Sequence, residues 1–289
     1  MSIPKRLLGG TGMNVTVLGY SAHEIRGSRV WDGRPVSDRQ ADSILNCVLD
    51  AGVNFISTAN CYGRSEELIG RYLHARRETF YLATKCGCRV SRRHMFSDQV
   101  SHEFSRENIL RSVHESLRRL RTDCIDLVSL HHPGVGECTA EQVTEVLHDL
   151  QQQGKVRWLG VSGALPDLGV FLAWRVFDVV EVPYSPREPR HENLIALTAQ
   201  AGCGVIVKAR FAGGTPRHAP GPNAGQRNRA ISAPPERSAS VPAGIRFVLG
   251  HPEVDTLVVG TLNPEHLRED IATATGARRP ADSRDERVG

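Results

Sequence analysis

Tyr62, Lys85 and His131 are the residues of this chain whose types and spacing point to proton transfer. Each lies at or just past the end of an apolar, β-branched run: residues 53–57, 80–86 and 125–130 respectively. Positive charge beside a phenol favours the phenolate, so a lysine can ready a tyrosine to give up its proton. An imidazole can hold a carbonyl oxygen by hydrogen bond or help move the proton. Taken singly, Tyr62 reads equally well as a rim residue and His131 as a satisfied core histidine. Lys85 is harder to read as inert, because burying an unpaired ammonium is costly. Three such residues at successive strand ends are better read as one site.

The elements that must position them alternate along the chain. Strand patterns at 14–18, 53–57, 80–86, 125–130, 156–161, 179–182, 204–207 and 256–259 are separated by helical ones. Ser37-x-x-Gln40 is a capping box ahead of Ala41, Ile44, Leu45, Val48 and Leu49 at helical spacing. Ser105 and Thr139 cap two further helices, and Asn263-Pro264 opens the last. The 125–130 run is apolar nearly throughout, as a parallel strand covered on both faces should be.

Eight strands, each with a following helix, predict an α/β fold: a (β/α)8 TIM barrel in a single domain over residues 1–275. The rival, an open doubly wound sheet, would carry G-x-G-x-x-G after its first strand; here that place reads Gly19-Tyr20-Ser21. Residues 211–240, rich in Gly, Pro, Arg and Asn, read as a mobile loop, and 276–289 as a disordered tail.

The active face of such a barrel is built at the carboxyl ends of its strands. There the pattern places Ser57, Asn60 and Tyr62, then Lys85 and Cys86, then His131 and His132. Ser162, Glu181, Lys208, Gly260 and Thr261 follow from the remaining strands.

Composition narrows the function classes. The formal net charge of +4 is spread over 289 residues, and the arginine clusters carry no interleaved aromatic rings, so no nucleic-acid surface is expected. No run approaches the roughly 18 apolar residues of a membrane span. Seven cysteines, an odd number, without an apolar leader at 1–10 predict a cytoplasmic protein with reduced thiols. Cys86 and Cys88 form C-x-C with Cys61 as a third candidate, but zinc pairs are more often C-x2-C, and no metal is expected. On one strand the first two would point the same way.

Several blocks together resemble the aldo-keto reductase family: RLLGGTGMNVTVLG (6–19), GVNFISTANCYGRSEELIG, LATKCG, LRTDCIDLVSLH (120–131), GKVRWLGVS (154–162) and HPEVDTLVVGTLNPEHL. They keep that family's order and spacing over residues 6–274. The resemblance implies a barrel whose first segment forms an N-terminal β-hairpin, here with Gly9, Gly10 and Gly12 at its turn. It implies hydride transfer from NADP(H), with NAD(H) second, to the carbonyl of a small-molecule aldehyde or ketone.

By the same resemblance, Tyr62 matches the general acid, Lys85 the lysine that readies it, and His131 the histidine that orients the carbonyl. Ser57 stands where the family has the aspartate that pairs with this lysine. Ser162, Glu181, Lys208 and Arg210 match positions around the nicotinamide. Gly260, Thr261, Asn263, His266, Glu269 and Asp270 match positions around the phosphates and adenine. The residue after Ser162, commonly Asn, is Gly163, and the usual Gln is Glu181.

With serine at position 57 the ion pair is broken, and the pull of Lys85 on Tyr62 is expected to weaken. Reductase chemistry is therefore expected in altered or weakened form. Two alternatives stand beside it: a barrel that keeps cofactor binding as a binding or regulatory module, and a dehydratase or epimerase using Tyr62 and Lys85 for proton abstraction.

Overall fold

The computed structural model describes residues 2–31, 33–94, 97–209 and 240–276. The readings made for Arg210, for 211–239 and for 277–289 lie outside these residues, while Ser240 opens a helix and Gly276 ends one. The chain opens with β1 (Lys5–Leu7) and β2 (Asn14–Thr16), an antiparallel hairpin joined by a 3-10 turn at Gly9–Thr11. The barrel strands are β3 (Leu18–Ser21), β4 (Phe55–Ser57), β5 (Tyr81–Cys86), β8 (Ile125–His131), β9 (Val156–Ser162), β10 (Val179–Pro183), β11 (Gly204–Lys208) and β12 (Thr256–Val259). They close in that order, all parallel, with β12 returning to β3.

The helices are α1 (Asp38–Asp50), α2 (Ser65–Leu73), α3 (Arg106–Leu120), α4 (Ala140–Gln152), α5 (Asp167–Ala173), α6 (Glu192–Gln200), α7 (Ser240–Gly250) and α8 (Pro264–Gly276). Their starts follow local chemistry. The Ser37–Gln40 capping box is complete, and the Ser105 and Thr139 side chains accept from backbone N–H groups of Asn108 and Gln142. None of these helices is long and apolar enough to cross a membrane.

Two corrections to the sequence reading follow. The 14–18 strand is two strands: Asn14–Thr16 belongs to the hairpin, and the barrel begins at Leu18. A second hairpin, β6 (Cys88–His94) with β7 (Ser97–His102), stands between β5 and α3, where no element was expected. Its polar sequence carries no clear apolar alternation, so periodicity could not announce it.

The strands' period of two explains where the site must be. The outward residues Ile56, Leu82, Val128, Leu130, Val161, Val180, Val207 and Leu257 pack with the helices in the main core. The inward residues form a second, separate cluster deep in the barrel: Phe55, Ala83, Leu127, Val179, Ile206 and Val258. Leu8, Met13 and Val15 of the first hairpin close that end, each contributing about 1.5–3 kcal/mol by burial. Two residues further along each strand, the inward position turns polar: Ser57, Lys85, Ser129, Glu181 and Lys208. The lumen is thus apolar at its floor and charged at its mouth.

Candidate active site

Lys85 lies at the centre of the mouth, 3% exposed. Its Nζ donates to Ser57 Oγ at 2.9 Å and to the Thr58 carbonyl at 3.2 Å. The expected broken ion pair is corrected here. Glu181, reaching across from β10, places Oε2 3.1 Å from the same Nζ. The carboxylate is present, but on the sixth barrel strand instead of the second. The signal was in the sequence: Glu181 was the one acid among the strand-end residues, and a buried ammonium needs a countercharge. What was missing was the closure of the barrel, which lets strands far apart in order face each other.

Glu181 is 3% exposed and anchors a wider network. Ser162 Oγ donates to its Oε1 at 3.0 Å, and Lys208 Nζ donates to Ser162 Oγ at 2.9 Å and stands 3.6 Å from Oε1. Burial alone would push the Glu181 carboxyl up. The Lys85 and Lys208 charges, with hydrogen bonds from Lys85 and Ser162, outweigh burial and hold it below the ordinary carboxylate range.

Tyr62 sits in the turn after β4, where its N–H donates to the Ala59 carbonyl and its own carbonyl accepts from Ser65 at the start of α2. Its ring centroid is 5.8 Å from Lys85 Nζ and 5.9 Å from the His131 ring. His23 and Trp31, from the segment after β3, meet it edge-on at 4.9 and 5.6 Å. The three residues singled out for proton transfer therefore share one mouth, with Ser57 at the lysine.

His131 ends β8 in register with Ser162, which is in register with Glu181. Burial first, then its neighbours His132, Lys85, Lys208 and His102, push its pKa well below the ordinary value. His132 is lowered to about 3, chiefly by the Lys208 charge and then by burial. Both imidazoles are neutral at physiological pH.

The remaining predicted residues form a second group at the end of β12. A Cβ on Gly260 would stand 2.9 Å from the Ser21 carbonyl oxygen and 3.0 Å from Glu24 Cγ, so only glycine allows this approach. Thr261 is buried; its carbonyl accepts from Tyr20 Oη at 2.9 Å, and its Oγ1 accepts from Asn263 N–H at 3.0 Å. Asn263 caps α8 through Glu265 N–H at 2.9 Å. His266 is half-buried, Glu269 exposed and Asp270 buried on that helix.

The sequence reading named Cys61 and Cys88 but not their contact with His131, and it missed His102, Asp98 and Arg34 altogether. Cys61 and Cys88 both contact His131 Nδ1, at 3.3 and 2.9 Å. Cys86 does not join them: Gly87, at φ 88°, interrupts the C-x-C, leaving Cys86 in the outer core while Cys88 turns to the mouth. The His102 ring, on β7, is 5.7 Å from that of His131. Asp98 of the same hairpin accepts two hydrogen bonds from the Arg29 guanidinium at 2.6 and 3.0 Å, tying the hairpin to the segment that carries Trp31. Arg34 stands 3.7 Å from the carboxylate of Glu24, whose Cγ borders Gly260.

The model of the aldo/keto reductase family matches residues 25–234, most of the chain. The chain belongs to that family. An aldo/keto reductase of this kind is an NAD(P)H-dependent oxidoreductase. The uncharacterised oxidoreductase YqkF of Bacillus subtilis is 25% identical over 95% of this chain and 92% of its own. L-galactose dehydrogenase of Arabidopsis thaliana is 26% identical over 94% and 88% respectively. Among solved structures, PA4992 of Pseudomonas aeruginosa, provisionally named an aldo-keto reductase, is 30% identical, covers 96% of this chain and 98% of its own, and superposes with a TM-score of 0.77.

Proposed function

We propose that this aldo/keto reductase reduces the carbonyl of a small aldehyde or ketone with NADP(H), Tyr62 acting as the general acid. The observation that carries the reading is the meeting of Tyr62 with both Lys85 and His131, while Lys85 keeps a buried countercharge in Glu181. A catalytically silent barrel was motivated by Ser57 and Glu181 together, and the contact of Glu181 with Lys85 favours the reductase reading over it.

The donor set at the mouth suits a nicotinamide carboxamide. Glu181 can accept from its NH2 group, and Lys208 can donate to its oxygen, while Ser162 bridges the two protein groups. Gly260, Thr261 and the capped start of α8 offer backbone N–H groups and a helix N-terminus to phosphate oxygens. Arg34 is the nearby cation that favours the extra phosphate of NADP(H) over NAD(H).

Held by Glu181, Lys208 and the start of α8, a nicotinamide cofactor would supply hydride chemistry at the carbonyl carbon. Tyr62 gives its proton to the developing alkoxide oxygen, which prevents a full negative charge from building up. Lys85 stabilises the resulting phenolate. His131 is neutral, and its Nδ1 faces the two thiols, so Nε2 is the nitrogen left to hold the carbonyl oxygen.

The test is a fluorescence titration with NADPH and NADH followed by a carbonyl panel. The expected result is tighter NADPH binding and oxidation of the cofactor in step with carbonyl loss. Tight binding without turnover on any carbonyl would favour the binding-module reading. Solvent deuterium entering product without cofactor oxidation would favour a dehydratase or epimerase.

A further inference from the structure

We infer that Cys61, Cys88 and His131 form a binding site for one zinc-class cation beneath the mouth of the barrel. The three residues come from separate elements: the turn after β4, the first residue of β6 and the last residue of β8. Their two sulfurs and the imidazole nitrogen all lie within 4.8 Å of one another, and the residues are 0%, 1% and 4% exposed.

Hydrogen bonding can use the three atoms only in sequence, one thiol turning to the other sulfur while that one turns to Nδ1. Nδ1 of His131 has either one lone pair or one proton, yet sulfurs stand on it at both 2.9 and 3.3 Å. Two thiol hydrogens cannot both point at a single lone pair. A cation at the centre would use all three atoms at once. Bond lengths of about 2.3 Å to sulfur and about 2.0 Å to nitrogen put tetrahedral ligands roughly 3.6 Å apart for S···N and 3.8 Å for S···S. The observed S···N spacings of 2.9 and 3.3 Å would have to open by about 0.7 and 0.3 Å to admit the ion at that geometry.

Charge argues for the same class of ion. Two thiolates and one neutral imidazole cancel the charge of a divalent cation, so the loaded site is neutral and tolerates burial. Thiolate with imidazole selects soft or borderline metals over magnesium or calcium. Three protein ligands leave a fourth position for water or another donor. An ion on Nδ1 would also fix the His131 proton on Nε2.

This inference does not depend on the reductase reading, because its test does not use turnover. The reduced, chelator-treated full chain is titrated with Co2+ and read by absorption. One equivalent is expected to raise a thiolate-to-cobalt charge-transfer band of two-thiolate intensity with the visible bands of tetrahedral cobalt, and one equivalent of Zn2+ to bleach both. Cys61→Ser and Cys88→Ser should each halve the band and weaken binding by at least roughly tenfold, since loss of even an outer partner costs that much. Cys124→Ser and Cys203→Ser should leave it unchanged. The wild-type spectrum counts thiolates by itself, so a variant that fails to fold does not decide the matter. Absence of a charge-transfer band at one equivalent, or its survival in the Cys61→Ser/Cys88→Ser double variant, would overturn the site.

Discussion

The Lys85 ammonium and the Glu181 carboxylate meet at 3.1 Å across the mouth of the barrel, each 3% exposed. A pair so buried is costly to break by removing one partner, on the order of 3–5 kcal/mol, because the other charge is then stranded. The relationship changes what serine at position 57 means. Ser57 accepts a hydrogen bond from Lys85, and Glu181 carries the charge.

The first prediction concerns this relocation. Glu181→Gln should lower kcat for carbonyl reduction on the order of 10²-fold, the low end of what a general acid contributes. Ser57→Asp alone should change little, since Lys85 already has its countercharge. Combined with Glu181→Gln, it should recover most of the loss. Steady-state kinetics over the double-mutant cycle decides: purely additive effects would show that the two positions do not share the lysine.

Tyr62→Phe removes only the phenolic hydroxyl and keeps the ring between His23, Trp31 and His131. It should reduce kcat by roughly 10²–10⁴-fold while leaving NADPH affinity as it was. Single-turnover measurements with saturating cofactor give the number. An unchanged rate would move the proton donor elsewhere.

Acid should release the same ion pair. The Glu181 carboxyl is held below its unfolded value of about 4.3, so across that window the unfolded chain binds more protons and stability rises with pH. Its contribution is therefore complete above the ordinary carboxylate range and is lost as pH falls through the lowered folded value. Urea unfolding of wild type and Glu181→Gln should differ most near neutral pH and converge in acid. A constant gap down to pH 3 would contradict the assignment.

Gly87 offers a test of the chain path. At φ 88° an added Cβ would fall 2.2 Å from Cε1 of Phe104, itself buried. Gly87→Ala should cost about 2–4 kcal/mol from left-handed strain plus overpacking, lowering Tm by several degrees. Calorimetry measures the loss, and a variant as stable as wild type would mean that the turn is not held as described.

Much of the fold was legible because local signals agreed. The Ser37, Ser105 and Thr139 caps, the apolar strand runs and the Asn263-Pro264 start all mark elements that the structure contains. What escaped depends on distance through space. The second hairpin has no apolar face to pattern. Glu181 serves Lys85 only once eight strands have closed, and Cys88 leaves the side of Cys86 only because Gly87 adopts a positive φ. The domain boundary at residue 275 and the role of Arg210 remain expectations.

The β6–β7 hairpin begins three residues after the central lysine and is pinned by Asp98 to the stretch bearing Trp31. The hairpin's strands and that stretch are thereby braced as one wall beside Tyr62 and His131, built apart from the strand ends that handle the proton. Exchanging residues 88–102 between relatives should retune which aldehydes are accepted while leaving the reaction type intact.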